Sequence, residues 1–358
     1  MTKTMKAMVL TGHGGLEKYV WHEDWPMPEP GSMEALIKVG ACGLNNTDVN
    51  TRSGWYSKVV SEATTGEAYE TVAEEDSTWG GRPISFPRIQ GADAVGRVVA
   101  VGEGADPALI GKRVMTDGWL RDWSDPENMD KAGYFGSEID GGFAEYTKTD
   151  VRNMAVLESG LSDAELATFS CSYSTAEGML SRANVTADDT VLVPGASGGV
   201  GGALVQLAKR RGARVIAMAS EAKHADVARL GPDLILPHAP ENLRKALGGE
   251  KVTVVADIVG GPYWPKLIDV LERGGYYTCS GAIAGPMVTL DLRTFYLRDL
   301  TFTGSTIIPS TIFKDLVGYI ERGEIKPVLA ATYPLCELRE AQAAFIDKRH
   351  VGNIVVMP

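Results

Sequence analysis

The sequence predicts an α/β protein, a doubly wound parallel sheet inserted in a β-rich domain. Three observations carry that reading: strand and helix patterns alternate from about residue 165, a glycine-rich turn sits between a strand and an apolar helix, and a β-like run closes the chain. A chain of 358 residues exceeds what one hydrophobic core usually organises, so two domains are expected. Their expected extents are 1–165 with 309–358 returning to it, and 166–308 for the inserted dinucleotide-binding domain.

In chain order, residues 6–11, 35–41, 95–102 and 111–115 are short β-rich runs separated by glycine and proline turns. In the second half, 190–193 reads as strand, 200–211 as helix, 214–219 as strand and 222–230 as helix. A β-rich run at 252–258, a helix at 264–273 and a run at 276–280 follow, then 301–305 and a helix at 312–322. The closing run Asn353-Ile354-Val355-Val356-Met357 is too short to stand alone and is expected to join the N-terminal sheet. Two stretches lack a strong period. Residues 57–88 carry Glu62, Glu67, Glu70, Glu74, Glu75 and Asp76, and residues 117–134 are rich in Trp, Asp and Gly. Irregular connections of that length are either functional lids or solvated excursions.

Composition narrows the function classes. Apolar residues at 44% and charged residues at 23% are ordinary for a globular chain. A net charge of -11 disfavours nucleic acid and anionic membranes unless basic residues concentrate somewhere, and Lys209-Arg210-Arg211 ends an apolar helix, where it complements the helix dipole. No apolar run reaches bilayer length and the start MTKTMKAMVL lacks a signal-peptide stretch, so a cytoplasmic protein is expected. Cys42, Cys171, Cys279 and Cys336 are far apart, as reduced thiols would be.

The turn Gly195-Ala196-Ser197-Gly198-Gly199-Val200-Gly201 follows a strand and opens a helix, the context in which a glycine fingerprint binds a dinucleotide. Gly198 lets the backbone approach a pyrophosphate, Gly201 lets the helix pack on the sheet, and the helix N-terminus supplies free N–H donors. Ala196 stands where the fingerprint usually carries glycine. At the end of the next strand an acid would bind the ribose of NAD. That position reads Ala219, followed by Ser220 and Lys223, which suit the 2′-phosphate of NADP; Glu221 is the competing observation for NAD.

With these motifs the sequence resembles the medium-chain dehydrogenase/reductase superfamily, in which a Rossmann domain is inserted in a GroES-like domain. The resemblance runs through Gly43-Leu44-Asn45-Asn46-Thr47-Asp48, Gly91-Ala92-Asp93-Ala94-Val95-Gly96, Gly141-Gly142-Phe143-Ala144-Glu145-Tyr146, the glycine turn and Gly352-Asn353-Ile354-Val355. Zinc members of that superfamily place Cys, His-Glu and Cys where this chain has Asn45, Ala92-Asp93 and Cys171. One cysteine cannot hold tetrahedral zinc, and residues 97–140 lack the cysteines of the structural zinc lobe, so no zinc is expected.

The resemblance therefore points to the zinc-independent quinone oxidoreductase and enoyl reductase-like branch, with NADP(H) as cofactor and a small-molecule substrate. It implies Asn45 near nicotinamide and substrate, and Tyr56 as proton donor, with a lowered pKa or a water relay to help it. Asp48 reads as a helix cap and Cys171 as a small core residue. The resemblance also implies cofactor contacts from Asn45, Thr175, Ala196, Ser197, Gly198, Gly199 and Val200. Further contacts are implied from Ser220, Lys223, His238, Val259, Gly281, Ala282, Ile283, Ser305, Thr306 and Asn353. The acidic stretch beside Tyr56 disfavours coenzyme A, and Trp55, Trp79, Trp119 and Trp123 could wall an apolar cleft. A homodimer through 300–305 is implied as well. Two alternatives stand beside this reading: an alcohol or aldehyde dehydrogenase with an atypical metal site using Cys171 and Asp93, and a non-catalytic NADPH-binding protein.

Overall fold

The computed structural model describes residues 3–358. Six strands form one sheet in the order Leu234–Pro237, Arg214–Ala219, Thr190–Val193, Val252–Asp257, Leu271–Cys279, Thr301–Gly304. Every neighbouring pair is parallel. Such strands must be apolar on both faces. Val191, Val193, Val215 and Ala217 pack on the helices Ser170–Arg182 and Gly199–Arg210, while Leu192, Ile216 and Val255 pack on Trp264, Leu267 and Ile268. The strand order reverses on either side of Thr190–Val193, so a ligand crevice opens above its C-terminal end.

Several local expectations shift. Leu234–Pro237 is a strand that a four-residue run gives no period to reveal; its pairing with Arg214–Ala219 supplies the order. The helix expected at 222–230 is a 3₁₀ turn, Glu221–Lys223, and a short α-helix, His224–Ala228. The helix expected at 264–273 stops at Asp269, because Leu271 is already paired with Val252.

The second sheet has seven strands: Leu329–Pro334, Asn353–Met357, Glu34–Gly43, Asp93–Val101, Arg113–Thr116 and Met154–Val156 in order, with Tyr146–Asp150 also on Glu34–Gly43. The closing strand pairs antiparallel with Glu34–Gly43 through Val355 opposite Gly43 and Val356 opposite Cys42. Just before it, Gly352 bridges Gly198, and the Gly352 N–H donates to the Ser197 carbonyl at 2.9 Å. The chain end is thus laid across the glycine turn. One apolar core continues between the sheets, joining Ala41, Ala92 and Val95 to Ala176, Val193 and Ala203.

Neither irregular stretch is a simple solvated excursion. Residues 57–88 hold only one 3₁₀ turn, Glu74–Asp76, yet Ser77 and Thr78 are buried and the Thr64 N–H donates to the Ile283 carbonyl at 2.9 Å. In the other, Trp119–Leu120 pairs with Gly133–Tyr134. Among the described residues no helix is long and apolar enough to cross a membrane.

Candidate active site

The glycine turn forms a cradle that side chains would fill. Gly195 has φ +67°, in the left-handed region that favours glycine. A Cβ on Gly201 would lie 2.2 Å from the Gly195 carbonyl oxygen, and one on Gly199 would lie 2.2 Å from Asn353 Oδ1 and 2.5 Å from Ser172 Oγ. A Cβ on Gly198 would meet nothing nearer than 3.7 Å, so this part of the turn opens outward. Bare backbone at the start of the helix Gly199–Arg210 suits a pyrophosphate, and these residues fit a dinucleotide. Ala196 is fully buried below, its N–H donating to the Met218 carbonyl at 3.0 Å; the Ser197 carbonyl is taken by Gly352. Val259 touches the turn, with Cγ2 3.0 Å from where a Gly195 Cβ would stand.

In front of the cradle lies a cleft of about 960 Å³ counting its open mouth, within the range that holds cofactor and substrate groups. One wall comes from Asn45 and the helix Asn46–Ser53, whose Thr47 and Asn50 face the cleft, followed by Trp55 and Tyr56. The nucleotide side contributes Thr175, Gly199, Val200 and Asn353, and the loop Gly281, Ala282 and Ile283 with Thr306 closes the far end. Asn353 Nδ2 donates to the Thr168 carbonyl at 2.9 Å and so ties the closing strand to this wall. Ser305 is buried behind Thr306, and its hydroxyl has no partner among the described residues. Sequence reasoning missed Tyr134 and Phe345 in the lining, since nothing local marks residues that only tertiary folding brings together, and Cys171, expected in the core, is half-buried and lines the cleft.

Ser220 and Lys223 line a second hollow with Lys326, Lys348, Arg349 and His350. Lys223 Nζ donates to the Lys348 carbonyl. Burial, then the ammonium groups of Lys348 and Lys223, pushes the His350 imidazole down to about 4. The basic concentration sought in sequence is therefore here, where Lys348-Arg349-His350 precede the closing glycine. By contrast Lys209, Arg210 and Arg211 are spent on Asp233, Glu324 and Glu177. Ala219 ends its strand as expected, and Glu221 lies beyond it in the 3₁₀ turn. His238 is exposed just past the strand Leu234–Pro237, beside Ala219 through the pairing of Ala219 with Pro237.

Among the described residues no charged side chain lines the cleft, although the Lys348 ammonium reaches its rim, donating to Asn46 Oδ1 at 3.0 Å. Tyr56 Oη donates to Thr47 Oγ1 at 3.3 Å, and burial pushes the phenol up rather than down, which makes it a neutral hydrogen-bond donor. Asp48 Oδ2 accepts the Asn45 N–H at 2.8 Å, the capping role expected of it. Asp93 Oδ1 accepts the Cys171 N–H at 2.9 Å. Burial pushes the Asp93 carboxyl up to about 7 and, with Asp93 adding to it, pushes the Cys171 thiol well above its ordinary value. Asn45, Ala92 and Cys171, at the positions of the family's catalytic zinc ligands, thus offer an amide, a methyl group and a protonated thiol, with the Asp93 carboxyl beside them accepting the Cys171 N–H. They do not fit a tetrahedral zinc, and no group of three or more such donors exists among the described residues.

A raised carboxyl has a pH signature. Between about 4 and about 7 the unfolded chain releases the Asp93 proton before the folded chain does, so stability falls as pH rises through that window and stays lowered above it. Asp93→Asn removes that loss. Thermal unfolding should show the gain of the variant over the parent to be larger at pH 8 than at pH 5, by roughly 2 °C or more; an equal or smaller gain at pH 8 contradicts the assignment.

Two family models match the chain: the alcohol dehydrogenase GroES-like domain over residues 31–159 and the zinc-binding dehydrogenase model over residues 199–322. The crystal structure of an alcohol dehydrogenase-type protein from Sinorhizobium meliloti 1021 superposes with a TM-score of 0.90 at 45% identity, covering 100% of this chain and 98% of that one. Acryloyl-coenzyme A reductase of Metallosphaera sedula is 28% identical over 98% of this chain and 99% of its own. Human quinone oxidoreductase is 27% identical over 96% of this chain and 94% of its own. The inserted parallel sheet, the glycine cradle, the cleft without a zinc ligand set and these whole-length similarities place the chain in one family. It belongs to the medium-chain dehydrogenase/reductase superfamily, in its quinone oxidoreductase and enoyl reductase-like branch, and is an NAD(P)H-dependent oxidoreductase.

Proposed function

We propose that this protein uses NADPH to reduce a small, uncharged α,β-unsaturated carbonyl compound or quinone, with residues 1–165 and 309–358 as catalytic domain and 166–308 as cofactor domain. The observation that carries this reading is the cleft itself: aromatic walls and neutral donors meet the glycine cradle, with no charged lining residue among those described. The curated relatives are named for reducing an acryloyl thioester and quinones, which share a conjugated electrophile. Coenzyme A is disfavoured here, because Trp55 in the wall donates its indole N–H to the Glu62 carbonyl at the start of the acidic stretch.

Held on the glycine turn and against Thr175 and Val200, NADPH would supply a hydride for the electrophilic carbon. The chain's own part is to orient the acceptor and meet the charge that develops on its oxygen. Asn45 Nδ2 is buried at the cleft wall without an aligned partner, and the Tyr56 phenol stands on the same wall. Both can donate to an acceptor held in the cleft, whose oxygen gains enolate or hydroquinone charge. Tyr56 gives its phenolic proton to that oxygen and takes a replacement from the hydroxyl of Thr47, to which it is bonded and which is itself partly exposed to water. Tyr56→Phe should lower kcat about a hundredfold while the KM for NADPH stays within about twofold; an unchanged kcat removes Tyr56 from the chemistry.

NADPH is preferred because the strand-end residue Ala219 is uncharged and the hollow beyond it gathers Lys223, Lys348 and Arg349. Steady-state kinetics against enones, quinones and aldehydes should give a KM for NADPH at least about tenfold below that for NADH. Lys223→Glu should raise the former about tenfold and leave the latter unchanged. Equal use of NADH refutes the cofactor assignment, and tight NADPH binding without turnover of any acceptor would favour a non-catalytic role.

The four free cysteines fit a reducing compartment such as the cytoplasm. A homodimer is proposed through the outer strand Thr301–Gly304, an unpaired sheet edge accompanied by exposed Met287, Leu292, Tyr296 and Leu297. Light scattering should give twice the chain mass, and Leu292→Lys with Leu297→Lys should give one chain mass; a monomeric parent disproves the pairing.

A further inference from the structure

We propose that Glu138 determines substrate selection from outside the cleft, by holding Trp79 and Tyr134 as two walls of an aromatic slot that Trp119 completes. The three rings line the cleft and touch one another. Trp79 and Trp119 have centroids 4.8 Å apart at 85°, Trp119 and Tyr134 4.8 Å apart at 65°, and Trp79 and Tyr134 6.3 Å apart at 61°. Rings set edge to face make one aromatic corner of the lining, against which a flat π system can pack.

The walls come from separate parts of the chain, and one carboxylate joins two of them. Trp79 lies in the irregular stretch 57–88, whereas Tyr134 ends the short strand Gly133–Tyr134. Glu138 Oε2 accepts the Trp79 indole N–H at 3.2 Å and the Tyr134 backbone N–H at 2.6 Å. Glu138 is half-buried and borders surface hollows behind the rings rather than the cleft, so its charge is not presented to the substrate. Trp119 is fixed independently: its N–H donates to Asp117 Oδ1 at 3.0 Å and its carbonyl accepts from Asn153 Nδ2 at 2.6 Å. Space for the Tyr134 ring depends on Gly118, where a Cβ would approach the ring to 2.9 Å. Glu138 is therefore a positioning residue. Without it the indole loses its hydrogen bond to the opposite wall while Trp119 stays in place.

The inference rests on the reading of the cleft as a site for uncharged conjugated acceptors, and selects among them the flat, ring-containing ones. The test uses the full-length chain loaded with NADP(H), and compares 1,4-naphthoquinone with but-3-en-2-one. In Glu138→Ala and in Trp79→Ala the ratio of kcat/KM for naphthoquinone over butenone should fall about tenfold. Naphthoquinone affinity measured directly by calorimetry should fall by a similar factor. Glu138→Gln, whose amide oxygen can accept both bonds, should keep the ratio within about twofold of the parent. A ratio and an affinity unchanged in both alanine variants overturn the slot, as does a parent that binds no naphthoquinone. A parent that binds naphthoquinone in a Glu138-dependent way but reduces neither acceptor overturns the reductase reading and leaves the slot standing.

Discussion

Backbone against backbone at one point holds the functional parts of this protein together. Gly352 runs beside Gly198, with its N–H on the Ser197 carbonyl, and its own φ of +89° leads directly into the closing strand. No side chain fits there, since a Cβ on Gly352 would lie 2.1 Å from the Val328 carbonyl oxygen. The closing strand belongs to the β-rich sheet and the glycine turn to the parallel sheet. Their contact brings the acceptor wall of Asn45 and Tyr56 up to the nucleotide wall of Thr175 and Val200, and Asn353, the next residue, lines the cleft between them. The Asn353 amide bonds inward to the Thr168 carbonyl.

Charge is partitioned around this junction. A chain of net charge -11 keeps its cleft free of charged lining residues among those described, and gathers cations in the hollow beyond Ala219. Two carboxyls behind the Asn45 wall, Asp48 and Asp93, are both buried and both pushed up to about 7, chiefly by burial. Water exclusion that penalises those charges also strengthens each hydrogen bond offered to a substrate oxygen. The thiol of Cys171, raised for the same reasons, adds a neutral surface rather than a nucleophile.

The irregular stretches were the least readable parts and turn out to build the acceptor side. Residues 57–88 have no period because their order comes from outside: Arg52, fully buried, donates to the Gly66 carbonyl, to the Gly14 carbonyl and to Gln342, and thereby pins the stretch to the helix that bears Thr47 and Asn50. A buried guanidinium bonded to carbonyls from three segments leaves no mark in any one of them. The same holds for Glu138, which sits four residues from Tyr134 in sequence but fifty-nine from Trp79.

The parallel sheet was legible because its strands are apolar on both faces, and the cofactor turn because glycines recur between a strand and a helix: Thr190–Val193, Arg214–Ala219 and the turn from Gly195 to Gly201 lie where local pattern alone puts them. So was the loss of two of the family's zinc ligands, a matter of residue identity at Asn45 and Ala92. What required the tertiary structure was every contact between distant segments. The cationic hollow joins residues 220–223 to 348–350, the aromatic slot joins residue 79 to 119 and 134, and the protonation of Asp93 depends on how deeply two sheets bury it. Period and motif record what neighbours along the chain must do, whereas burial and approach are properties of the packed whole.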